Sequence, residues 1–360
     1  MKQNKTYLVF AILLPLQILL VQWVSGYPRF IEQFYSRGLY PYISLFFRRI
    51  FGWIPFSIGD LFIFGLFLFV LYFLIQIVRS KFKKLGRKLL QIASFISILY
   101  GCFYLFWGFN YFREPLAKNL NLKSGNYTTT ELLELNEKMV SQLNKAHSLL
   151  VEYDSVLVKT NYSTKDVYKV ALLGYENLAK THPQFTYTSA SIKSSLMSLL
   201  QTYNGTLGYL NPITGEAQVN DLIPKTSLPA TTCHEMAHQL GWAAENEANF
   251  IGFLAATANS DVFFQYSGYR MAFSYAYTEL RKRDPAMANL IWRKLHSGIV
   301  KDYQATSRFW SAYENPIEPY IKRGYNSYLK ANNQDKGIDS YNYVVDLLIS
   351  YYHQNTHKSS

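Results

Sequence analysis

The string TTCHEMAHQLGWAAENEANF (231–250) sets two histidines four residues apart, His234 and His238, with Glu235 beside the first. On an α-helix that spacing puts both imidazoles on one face, one turn apart. A single tetrahedral Zn²⁺ is then within reach of both, and the glutamate can touch a water on the metal. The chemistry implied is hydrolysis of a peptide bond. A string of the form H-E-x-x-H arises by accident in roughly one chain in a hundred of this length, so its surroundings have to carry the case.

Thr232 stands three residues before Glu235, the spacing of a capping box, which predicts a helix that starts at Thr232 and holds both histidines in its first two turns. Upstream, GYLNPITGEAQVNDLIP (208–224) has turn signals at Asn211-Pro212 and Thr214-Gly215, with short strand-like runs GYL and EAQVN around them. A strand beside the helix would offer main-chain hydrogen bonds to an extended substrate. Downstream, two histidines leave a metal short of a third protein ligand, and Glu245 and Glu247 are the nearby carboxylates. In an unbroken helix Glu245 would lie about 10 Å beyond His238, so the chain has to turn. Gly241 is where it can do so without steric penalty, and a second helix is expected from near Ala243. Glu245 is the expected third ligand and Glu247 the alternative; the one left over would be a solvated or helix-capping acid.

His234, Glu235 and His238 followed by Glu245-Asn246-Glu247-Ala248-Asn249 resemble the gluzincin metallopeptidases, in which a helical E-x-x-x-[D/N] supplies the third zinc ligand and a partner for a zinc histidine. Carried over by position, the resemblance implies Glu245 as ligand and Asn249 as the supporting residue. Only six residues separate His238 from Glu245, fewer than is typical of gluzincins and closer to the compact H-x-x-G-x-x turn of the metzincins. Over nearly the whole chain, WGFNYFREPL (107–116), the histidine string and YLKANNQDKGIDSYNYVVDLLISYY (328–352) together resemble an uncharacterised family of bacterial membrane-anchored zinc peptidases, known as a domain of unknown function. That likeness implies a membrane-anchored, zincin-type architecture and no particular substrate.

With Zn²⁺ on His234, His238 and Glu245, the fourth position would hold water, and Glu235 would take that water's proton and pass it to the departing amine. Tyr266, Tyr269, Arg270, His296 and Tyr341 all have the chemistry to stabilise the oxyanion. Among 30 tyrosines no pattern selects one.

Three apolar runs, Leu8–Val24, Ile58–Val78 and Leu89–Phe109, are each near the length that crosses a bilayer as a helix. Val24-Ser25-Gly26 is a weak match to a signal-peptide cleavage site, and two further runs secure membrane integration either way. Residues 1–109 hold 12 Lys/Arg against 2 Asp/Glu, while 110–360 hold 24 against 22, so the net charge of +12 belongs to the membrane part and is no sign of nucleic acid as a partner. RSKFKKLGRK (79–88) carries six positive charges between the second and third runs, whereas the intervening loop 25–57 has four arginines and one glutamate. The positive-inside rule puts the amino terminus and 79–88 in the cytoplasm. Residues 110–360 then face outward from a bacterial inner membrane as a periplasmic domain, with the lipid bilayer and a peptide or protein substrate as partners.

The expected fold is therefore mainly α. A membrane domain of three transmembrane helices (1–109) precedes a mostly helical zincin-like domain (110–360) with a small β-sheet next to the active-site helix. Its helices are expected near Thr128–Leu150, Ser163–Lys180, Ser189–Tyr203, Glu245–Asn259, Gly268–Arg283, Pro285–Ser297, Ile317–Ala331 and Ser340–Tyr351. Cys102 and Cys233 read as two unpaired thiols, and Trp107, Tyr111 and Phe112 as an interfacial aromatic anchor. Three function classes follow: a membrane-anchored zinc endopeptidase; a catalytically inactive zincin-like scaffold, against which the intact Glu235 argues; and a transporter component, for which the membrane runs carry almost no ionisable residues.

Overall fold

Three helices, Lys2–Ser25, Ile58–Arg79 and Leu85–Phe106, take up the three apolar runs in a computed structural model that describes residues 2–83, 85–123, 125–334 and 343–358. Each is long and apolar enough to cross a membrane and turns its leucines, isoleucines and phenylalanines outward, as lipid contact requires. The first and third pack together through a few polar bonds, with Ser97 Oγ 3.2 Å from Gln17 Oε1 and Ser94 Oγ 2.6 Å from the Tyr7 carbonyl. The third run is helical only to Phe106; Gly108–Phe112 is a 3₁₀ turn.

The stretch expected as a loop between the first two membrane helices is instead helical from Pro28 to Gly52. Residues Ile31–Leu39 are wound as a π-helix, with the Tyr40 amide bonded to the carbonyl of Tyr35, five residues back. Ile31, Tyr35, Tyr40, Ser44 and Arg48 are buried along it. Glu32 and Ser36 are buried beside them, so the segment presents one continuous inward face. Its four arginines and the prolines at 28 and 41 give it the composition of a loop. Trp107 and Phe112 also depart from expectation: Trp107 is 5% exposed and Phe112 8%, both packed inside, while Trp53 and Tyr42 are 80% and 74% exposed.

The remainder is mostly helical around one apolar core. Thr129–Leu150 and Thr164–Thr181 begin at the capping boxes of Thr128 with Glu131 and Ser163 with Asp166. Glu245–Ala258, Val262–Arg283 and Val344–Lys358 also contribute to this core. Pro285–Ser297 is not one helix: Pro285–Trp292 ends and Ser297–Ser311 begins anew.

Three short strands, β1 (Ile192–Ser194), β2 (Gly208–Leu210) and β3 (Ala217–Val219), form a sheet in the order β1-β3-β2, with β1 parallel and β2 antiparallel to β3. β2 and β3 are the runs GYL and EAQVN. β1 falls where a helix over Ser189–Tyr203 was expected, and only Ser198–Tyr203 is helical. Tertiary contacts override the local preference: β1 pairs with β3, and the Lys193 ammonium is drawn to the carbonyls of Gly52 and Ile54 at the end of helix Tyr40–Gly52. The helix that carries His234 and His238 runs Leu228–Gln239, one turn earlier than a start at Thr232. Pro229 in its first turn favours that earlier start, and the Thr232 hydroxyl bonds back to the Leu228 carbonyl at 2.8 Å instead of capping. Both cysteines are free thiols.

Candidate metal centre

Helix Leu228–Gln239 ends where expected. Gly241 adopts φ +84°, its amide bonds the His238 carbonyl at 2.9 Å, and a Cβ there would meet the Tyr40 ring at 2.8 Å. The carbonyls at this helix end are also met by side chains from the N-terminal third of the chain. Tyr40 Oη and Ser44 Oγ donate to Gln239 O at 3.0 and 2.8 Å, Trp107 Nε1 to His238 O at 3.2 Å, and Arg113 Nη1 to Gly241 O at 2.8 Å. After the turn Glu245 opens the next helix, and its carboxylate comes back over the histidines.

Glu245 Oε2 lies 3.3 Å from His234 Nε2 and 3.7 Å from His238 Nε2, with the two imidazole planes nearly perpendicular at 88°. The three ligand atoms sit within 4.8 Å of one another. His238 Nδ1 is 2.7 Å from the Trp242 carbonyl, which can only accept, so Nδ1 carries a proton and Nε2 is the atom turned to Glu245. Tyr325 Oη donates to Glu245 Oε1 at 2.7 Å and leaves Oε2 to the histidines. His234 Nδ1 and Glu235 Oε2 are buried and have no hydrogen-bond partner among the described residues. Burial opposes charge on His238, yet the Glu245 carboxylate outweighs it and holds the imidazole up at about 9. Such a set of one carboxylate and two imidazoles around a common point has the donor chemistry of a zinc site.

Glu235 lines the same cavity. Burial raises its carboxyl to about 7, with the histidines opposing and Glu245 adding to the rise, and a cation between the histidines would draw it down again. Strand β2 passes directly over it: a Cβ on Gly208 would lie 2.6 Å from Glu235 Oε1. Glu247 is elsewhere. Its Oε1 accepts the Leu116 amide at 2.6 Å, and burial pushes its carboxyl up to about 7. Asn249 lines the cavity, but its amide nitrogen is buried without a partner among the described residues, so it does not reach a histidine.

Of the oxyanion candidates, Arg270 alone lines this cavity, and its guanidinium is held by Ser227 Oγ, Thr306 Oγ1 and the Tyr303 ring. Tyr266 is buried and bonds Asp302 at 2.5 Å, Tyr269 packs on Phe253, and His296 pairs with His147. Tyr341 lies outside the described residues. The cavity, about 760 Å³, is completed by Trp107, Tyr111 and Tyr328 from the strings at 107–116 and 328–352, and by Tyr275 and Tyr325, which no motif marks. Tyr325 and Tyr328 come from helix Glu318–Ala331, whose only buried residue is Leu329. An aromatic on a mostly exposed helix gives no signal in sequence that it bends over a metal site.

The membrane helices end at this centre. Trp107, the residue after the third, stacks edge-on with His238 at 6.1 Å between ring centroids. At the start of the second, the amides of Ile58 and Gly59 donate to the Glu216 carboxylate at 3.2 and 2.5 Å. Asp60 accepts from Leu196 N at 2.7 Å, Ser195 Oγ at 3.0 Å and the Tyr209 hydroxyl. Strand β2 is thereby fixed to the second membrane helix, and helix Leu228–Gln239 to the third.

Residues 35–349 match the family described as a protein of unknown function (DUF3810), and the chain belongs to that family. No curated protein and no solved structure gives a significant match.

Proposed function

We propose that this chain is a membrane-anchored zinc metallopeptidase that cleaves extracytoplasmic or membrane-proximal proteins. The observation that carries the proposal is the convergence of His234 Nε2, His238 Nε2 and Glu245 Oε2 in a cavity that also receives Glu235. The fit to zinc rests on the donors themselves: two imidazole Nε2 atoms and one carboxylate oxygen, the latter freed by Tyr325 for that side. When bound, the ion supplies Lewis-acid polarisation of a peptide carbonyl and of a water. Glu235 accepts the proton of the attacking water and delivers it to the amine that leaves. β2, an edge strand on the cavity side, offers main-chain groups to align an extended substrate.

Two features favour substrates at the bilayer surface on the extracytoplasmic side. The basic loop 79–88 sits at the far end of the second and third membrane helices from the centre, which under the positive-inside rule sets the centre outside. The short helix Ser198–Tyr203 leads into the cavity rim at Asn204 and turns Leu199 and Leu200 outward, close in sequence to Leu196, which Asp60 holds.

Metal analysis and turnover of quenched fluorogenic peptides in proteoliposomes test the proposal together. Wild type and Glu235→Gln should retain zinc at the centre, His238→Ala should lose it, and only wild type should cleave. Zinc-free wild-type protein, or undiminished cleavage by Glu235→Gln, would refute it.

A further inference from the structure

We infer a second transition-metal site, remote from the first, on His147, Asp154 and His296. It does not depend on the proposed peptidase function. His147 stands in the last turn of helix Thr129–Leu150, Asp154 in the loop that follows, and His296 at the start of helix Ser297–Ser311. His296 Nδ1 is 3.3 Å from His147 Nδ1 and 3.2 Å from Asp154 Oδ1, and the three ligand atoms lie within 4.8 Å of one another. A tetrahedral ion with bonds of about 2.0 Å separates its ligand atoms by about 3.3 Å, so two of the three edges already have the size such an ion needs.

The proton count points the same way. His147 Nε2 lies 2.9 Å from the Val156 carbonyl, which only accepts, so Nε2 carries the proton and the lone pair is on Nδ1. His296 Nδ1 thus faces two acceptors, the His147 nitrogen and the Asp154 carboxylate, and one N–H serves only one of them well. A cation serves all three. The carbonyl behind His147 repeats the arrangement at His238, where Trp242 O fixes the ring for ligation through the other nitrogen. Gly298 makes room for it: a Cβ there would collide with the Val156 carbonyl and lie 2.7 Å from His147 Nε2. His147 is fully buried, while the His296 side chain is 21% exposed and Asp154 65%, so one side of the site is open to water and to exchange with dissolved metal.

Two imidazoles and a carboxylate favour zinc and its neighbours over magnesium or calcium. A metal here would staple the end of one helix to the start of another. Helix Ser297–Ser311 in turn braces the wall of the first cavity, through Asp302 to Tyr266 and Thr306 to Arg270. The role is structural, since none of the three ligands lines that cavity.

The test uses full-length, tag-free protein in detergent, loaded with Zn²⁺, desalted and analysed for zinc, with thermal unfolding measured with and without Zn²⁺. Asp154→Asn and His296→Gln alter partly exposed side chains, and circular dichroism monitors folding. Each should hold about one zinc per chain fewer than wild type and lose most of the zinc-dependent rise in Tm. His238→Ala should lose a different zinc, and His238→Ala/His296→Gln should hold none. If folded His296→Gln and Asp154→Asn bind as much zinc as wild type, with the same shift in Tm, the second site is refuted. If those variants lose zinc while His238→Ala loses none, the second site stands and the peptidase proposal falls.

Discussion

Replacing Glu32 with alanine should destabilise the protein by about 3–5 kcal/mol, the cost of stranding a buried partner charge. Glu32 lies on the π-wound segment and receives Arg113 twice, Nε to Oε2 at 2.9 Å and Nη2 to Oε1 at 3.0 Å, with the two side chains only 6% and 7% exposed. Arg113 also donates to Gly241 O and lies 3.6 Å over the Trp242 ring, which soften the loss and favour the lower end of the range. For a domain of this size that corresponds to a fall in Tm of the order of 10 °C, read by thermal unfolding in detergent. Glu32→Ala/Arg113→Met should recover about 1–3 kcal/mol relative to the single variant, because the orphaned cation is gone. The pH dependence has a definite sign. Burial raises the Glu32 carboxyl, but the bonds and charge of Arg113 and Arg37 outweigh it and hold it below its ordinary value. Its contribution is therefore complete above the unfolded-state pKa of about 4.3 and lost as pH falls through the folded-state value, so the gap between wild type and Glu32→Ala narrows in acid. A Glu32→Ala variant within about 1 kcal/mol of wild type at pH 7, or a double variant no better than the single, would show that the pair is not coupled as its geometry implies.

Glu247→Ala should leave zinc content unchanged and lower stability by about 1–3 kcal/mol, because the Leu116 amide loses its buried acceptor; zinc loss would transfer the ligand role to Glu247. Tyr325→Phe should weaken zinc binding by about 10- to 100-fold, in the manner of a lost outer partner of a ligand, measured by competition with a chelator. Gly208→Val should suppress cleavage while sparing zinc, since the added carbons occupy the position of Glu235 Oε1; full activity would place β2 further from the base than the structure has it.

The histidine pair, the turn at Gly241 and the return of Glu245 were legible because each is local: a helical spacing, a left-handed glycine, a charge just past it. The membrane helices were legible from length and apolarity alone. What escaped depends on contacts distant in sequence. The helix over Pro28–Gly52 is held by Tyr40 and Ser44 reaching Gln239 and by Arg48 reaching Thr188, β1 pairs with β3 while Lys193 reaches the carbonyls at Gly52 and Ile54, and Tyr325 approaches Glu245 from 80 residues away. Trp107 and Phe112 look like interfacial aromatics in composition, but the packing of residues 31–48 against helix Leu228–Gln239 encloses them.

The side-chain caps on helix Leu228–Gln239 come from Tyr40, Ser44 and Trp107, residues that lie between or immediately after membrane helices. The anchor is therefore not an interchangeable tether. A fragment that begins at residue 110 would lose the donors for the Gln239 carbonyl and the indole donor for the His238 carbonyl, and with them part of what fixes the exit toward Glu245. Such a fragment would carry His234, His238 and Glu245 without the contacts that hold the turn between them.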